Sequence, residues 1–226
     1  MRHAIAAEAV GSFLLFATVV GSGIMAESLA GGNVAVALLG NTVATGAMLY
    51  VLITMLGPIS AAQFNPAVTL VFCLRSELGT GQAIGHVAAQ LIGGIAGVWA
   101  AHVMFDLDVL QFSTKVRTGS GQWAGEFIAT FGLLLTILGT LRHQPASVPA
   151  TVALYITSAY WFTSSTSFAN PAITVARALS DTFAGIAPAN VPGFIAAQLA
   201  GALAALATAK LLFDDPALPQ EPARDA

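Results

Sequence analysis

The sequence predicts an all-α membrane protein of six transmembrane helices and two re-entrant half-helices, arranged as an inverted repeat. Three observations predict it. Of the 226 residues, 56% are hydrophobic and only 8% charged, whereas soluble domains carry about 25% charged residues. Apolar runs close to the ~20 residues needed to cross the hydrocarbon core recur along the chain. The tripeptide Asn-Pro-Ala occurs twice, at Asn65-Pro66-Ala67 and Asn170-Pro171-Ala172, 105 positions apart (170 − 65).

The first span covers residues 4–25. Arg2 ahead of an apolar run mimics a secretory signal, but Glu8 lies inside the run, which is also longer than a signal core. The further spans are 34–56, 83–105, 122–141, 148–164 and 192–213. Only helices and closed barrels satisfy their backbone groups in lipid, and strand-like alternation is absent, so these segments are helices. Small residues in Gly93-Gly94-Ile95-Ala96-Gly97 and Ala200-Gly201-Ala202 allow close helix approach. Two stretches, from Ile59 to about Arg75 and from Phe168 to about Leu179, are too short to span and are interrupted by proline. Such segments at matching places in two halves mark re-entrant half-helices. With both termini inside, Arg2, Arg75, Arg142, Lys210 and Arg224 are cytoplasmic, against Lys115, Arg117 and Arg177 outside. The polar, Pro-containing residues 214–226 are expected to form a disordered cytoplasmic tail.

Further landmarks repeat in the same order. Glu8 matches Glu126, and Ala88-Ala89-Gln90-Leu91 matches Ala196-Ala197-Gln198-Leu199. The halves are therefore about 1–105 and 118–213 of a single channel domain, residues 1–213. Three spans per half is an odd number, so the second half inserts upside down. Asparagine is a favoured N-cap and proline a favoured first helical residue, so each motif starts a short helix, about Pro66–Arg75 and Pro171–Leu179. The inversion sets the two helix starts nose to nose at mid-bilayer. There the partial positive charge at each N-terminus repels cations, while Asn65 and Asn170 offer NH₂ donors to a passing solute. Glu8 and Glu126 are intramembrane acids, which are costly and usually functional. They either accept hydrogen bonds from the re-entrant loops and hold them, or relay protons in a coupled transporter.

Composition excludes other classes. A net charge of −3 gives no basic footprint for nucleic acid. Cys73 is alone, and His3, His86, His102 and His143 are scattered, so neither a metal nor another cofactor is expected. Gly21-Ser22-Gly23 lies within a span with no preceding strand, which argues against a dinucleotide loop. No histidine pairs with Ser22 at matching depth to build an intramembrane protease. The chain is not expected to be an enzyme.

The paired Asn-Pro-Ala motifs, the paired glutamates and the Ala-Gln landmarks resemble the aquaporin, or major intrinsic protein, family over roughly residues 4–213. The resemblance implies an hourglass fold, a homotetramer with one pore per subunit, and passage of water or small neutral molecules. Family members carry an outer filter with an arginine three residues after the second asparagine; here that position is Ile173. Counting without gaps, the other filter positions are Thr45, Ser158 and Ser167. Thr, Ser, Ser and Ile make a wide, uncharged ring. Arg177, one turn beyond Ile173, either sits in the outer vestibule or pairs with Asp181 at i, i+4. The missing arginine and the stretch from Tyr160 to Ala172 resemble the aquaporins of bacterial arsenic-resistance operons. That resemblance implies a bacterial plasma membrane and metalloid hydroxides such as arsenite, or glycerol-like polyols, as solutes. The alternatives are an ordinary water channel with a wide filter and an ion-coupled transporter.

Overall fold

A computed structural model describes residues 1–213 of the chain; the tail expected at 214–226 lies outside the described residues. Eight helices run in the order α1 Arg2–Leu29, α2 Val34–Ser60, α3 Pro66–Leu74, α4 Thr80–Met104, α5 Ser120–His143, α6 Val148–Phe162, α7 Pro171–Arg177 and α8 Val191–Phe213. No strand occurs among the described residues. Five of the helices, α1, α2, α4, α5 and α8, are long and apolar enough to cross a membrane. The remaining span, α6, has 15 residues and so reaches only about 23 Å. A 3-10 turn at Pro145–Ser147 leads into it. It stops at Phe162 rather than 164 because Thr163 is already extended, with φ −105° and ψ 139°, at the start of the loop that leads to α7.

Packing follows the repeat. Helix α1 packs on α4, and α5 packs on α8. Glycine makes the first crossing possible: a Cβ on Gly93 or Gly97 would lie 2.1 Å from Ala9 O or 2.2 Å from Phe13 O. Gly201 does the same in α8, where a Cβ would meet Phe127 O at 2.3 Å. Small residues let helix backbones touch where lipid offers no hydrophobic drive for association. The polarity of the molecule is inverted relative to a soluble domain. Ile92 and Leu154 are exposed, whereas Glu8, Gln90, Glu126 and Gln198 are fully buried. The half-helices α3 and α7 run in opposite directions away from the centre of this bundle.

Candidate functional site: a central path between two half-helices

Each half-helix begins as its sequence dictates. Asn65 Oδ1 accepts from Ala67 N at 2.9 Å, and Asn170 Oδ1 accepts from Ala172 N at 2.9 Å and Ile173 N at 3.3 Å. Proline follows as the first helical residue in both. The two asparagines also clasp each other's loops. Asn65 Nδ2 donates to Ala169 O at 2.7 Å, and Asn170 Nδ2 donates to Phe64 O at 2.8 Å. One N–H of each carboxamide is thus committed to the opposite loop and only the second is left for a solute, whereas the sequence left both free.

The carbonyls that receive these bonds are presented by strained backbone. Ala61, Ala62 and Phe64 have φ of 65°, 47° and 48°; Thr166, Ser167 and Ala169 repeat the pattern at 61°, 49° and 48°. Non-glycine residues avoid this region unless their surroundings hold them there. The two buried glutamates supply that hold. Glu8 accepts from Gln63 N at 2.9 Å and Phe64 N at 2.7 Å, and also from Ser60 Oγ and Gln90 Nε2. Glu126 accepts from Phe168 N and Ala169 N, both at 2.8 Å, and from Gln198 Nε2 at 2.6 Å. Gln90 and Gln198 in turn bond Thr69 and Thr174 on the half-helices. Burying a carboxylate is costly unless its lone pairs are filled, and here they are.

A cavity of about 500 Å³ passes both asparagines. Toward the face that carries the termini it reaches Gly57, Leu141 and Pro145. Toward the opposite end it is lined by Thr45, Tyr160, Ser167 and Ile173. Ser167 lines this end, and its Oγ is buried without a hydrogen-bond partner among the described residues. Glu8 and Glu126 do not line this path.

One position differs from the gap-free count. Ser158 is exposed on the outer face with Leu154 and Trp161, its hydroxyl donating to Tyr155 O at 2.8 Å. Tyr160 lines the path instead, its hydroxyl 3.4 Å from Thr45 Oγ1. The cause is helical phase. Val152, Ile156 and Tyr160 form an i, i+4 stripe toward the path, and Ser158 faces away from it. That stripe was readable beside Thr45, Leu49 and Ile53 of α2, which line the facing wall. Arg177 likewise occupies neither of its two expected places. It is 3% exposed, its Nε donates to Ala184 O, and its guanidinium carbon lies 3.3 Å from the centre of the Phe168 ring. Asp181 instead accepts from Thr114 N and Oγ1.

Comparison with known proteins agrees with this geometry. The profile of the family described as Major intrinsic protein matches residues 1–169. Over 213 residues the chain is 54% identical to Aquaglyceroporin AqpS of Rhizobium meliloti (strain 1021), spanning 94% of this chain and 91% of that one. It is 31% identical over 158 residues to the lens fiber major intrinsic protein of Gallus gallus, spanning 67% and 58% of the two chains. The crystal structure of the aquaglyceroporin from Plasmodium falciparum superposes with a TM-score of 0.71 at 16% identity, over 93% of this chain and 94% of that one. At that identity the likeness bears on the fold alone. The chain belongs to the major intrinsic protein family, whose members are multi-pass membrane channels and not enzymes.

Proposed function

We propose that this protein is a passive channel for small uncharged solutes, carrying glycerol-like polyols and metalloid hydroxides such as arsenite together with water. The observation that carries the reading is the uncharged ring of Thr45, Tyr160, Ser167 and Ile173. A residue as compact as isoleucine stands where an arginine would fill the opening, and Thr45 and Ser167 keep the lining there small and uncharged. Extensive identity to a protein named an aquaglyceroporin supports the same class of solute. Asn65 and Asn170 give one N–H each at the centre, and the facing N-termini of α3 and α7 repel cations. Glu8 and Glu126 support the loops. The proton-relay alternative is disfavoured because neither carboxylate lines the path and both have their oxygens filled by N–H donors. Residues 1–213 act as one channel domain built from halves 1–105 and 118–213. The protein sits as a homotetramer in a bacterial plasma membrane with both termini cytoplasmic.

Stopped-flow shrinkage and uptake in proteoliposomes test the solute class. Glycerol and arsenite fluxes well above those of empty liposomes are expected alongside water flux. Water flux without either solute would assign an ordinary water channel.

A further inference from the structure

Three cations gather behind this end of the path, and none of them lines it. Lys115 Nζ donates to Phe183 O at 2.8 Å, Arg177 Nε to Ala184 O, and Arg117 Nε to Gly185 O at 2.8 Å. The loop that brings Lys115 and Arg117 here is fastened to its surroundings. Ser113 N donates to Ala178 O, Ala187 N to Lys115 O, and Arg117 N to Asn190 Oδ1. Arg117 Nη1 lies 3.4 Å from Ser165 O, two residues before Ser167 of the ring. Phe168, which lines the path, has Arg177 at 3.3 Å from its centroid and Arg117 at 5.2 Å. No carboxylate neutralises these groups at contact distance: among the described residues the ion pair found is Arg75–Glu77, on the other side of the molecule. Burial lowers the pKa values of Lys115 and Arg117, and the two arginines lower that of Lys115 further, while Glu27 and Glu126, without contacting them, oppose the shifts of Lys115 and Arg117 respectively.

We propose that Arg117 and Arg177, both stacked on Phe168, supply the positive field of the outer constriction in place of a charge at position 173. The inference rests on the channel reading and deepens it. A lining arginine couples two properties, because the guanidinium that repels cations also narrows the opening. Setting the charge one side chain back separates them. The ring stays wide and neutral for hydroxylated solutes, while a cation passing Ser167 and Ile173 still meets two charges, neither held in an ion pair, through the low-dielectric Phe168 ring. Arg117 is a specificity-determining residue that acts by its field and not by contact.

The test is the ratio of potassium to glycerol permeability of the full chain in proteoliposomes. Arg117→Gln should raise that ratio about tenfold, the effect of removing one nearby unit charge at an effective dielectric constant of about 20 and partial salt screening. Arg117→Lys keeps the charge but loses the forked contacts with Ser165 O and Phe183 O, and should keep the parent ratio. Arg117→Gln combined with Ile173→Arg should return the ratio toward the parent value, because a guanidinium is restored nearby. A parent-like ratio in Arg117→Gln overturns the proposal. So does a Lys variant as leaky as the Gln variant, which would make Arg117 a strap and not a charge, or a double variant that stays leaky. Failure of the channel reading shows separately, as absent glycerol flux in the parent protein.

Discussion

The two halves share the bonds that hold their re-entrant loops and differ in what packs against them. Glu8 and Glu126 accept from backbone N–H groups at equivalent positions, Gln63 and Phe64 in one half, Phe168 and Ala169 in the other. Beside that shared frame, the first half is polar: Gln63 Oε1 accepts from Thr69 Oγ1 at 2.8 Å and lies 3.2 Å from Nδ1 of the buried His86. The repeat-equivalents of Gln63 and His86 are Phe168 and Phe194, which meet edge to face with centroids 5.1 Å apart. The inverted repeat therefore constrains the backbone of the loops and leaves their backing free. One half backs its loop with a hydrogen-bond chain, the other with an aromatic pair on which arginines stack.

The backing difference predicts unequal costs. Phe168→Ala should destabilise by about 3–5 kcal/mol, the range for removing a large buried aromatic, whereas Gln63→Ala should cost about 1–2 kcal/mol by leaving buried partners unpaired. Unfolding in detergent, read by circular dichroism, compares them; equal losses would erase the distinction. The shared frame predicts the opposite pattern. Glu8→Gln and Glu126→Gln each set an NH₂ against a backbone donor and should each cost about 2–3 kcal/mol. Sensitivity confined to one half would contradict the symmetry. At the helix crossings, Gly97→Ala forces a Cβ toward Phe13 O and should cost about 2–3 kcal/mol. Its repeat-equivalent, Ala205, is already a buried alanine, so Ala205→Gly should lose only about 1 kcal/mol of helix propensity. The smallest effects fall on the ring. Tyr160→Ala should raise the glycerol-to-water flux ratio severalfold by widening it, and Ser158→Ala should leave that ratio unchanged. A response at Ser158 would return it to the path.

Much of this molecule was legible in its sequence for reasons that particular residues make clear. Length and hydropathy locate the helices because lipid leaves the backbone few options. Asn-Pro starts a helix at both of its occurrences here, as an N-cap followed by a first-turn proline can, and repetition announces the inversion. Tyr160 was missed because a fixed count back from Asn170 ignores how many residues the loop takes between Phe162 and Pro171. Arg177 was misplaced because helical spacing names neighbours on its own helix, and its partners, Phe168 and Ala184, lie off that helix. The cross-loop bonds of Asn65 and Asn170 join residues more than a hundred positions apart, and only the folded pairing of the halves brings them together.

We propose above that the halves enclose a passive path, with Glu8 and Glu126 as supports. Glycerol flux into proteoliposomes tests it most directly when measured with and without ionophores that collapse proton and sodium gradients. A passive path gives a flux that rises linearly with the glycerol gradient and is unchanged by either ionophore. A flux that saturates and disappears when an ion gradient is collapsed would contradict it, and would make the buried glutamates coupling sites.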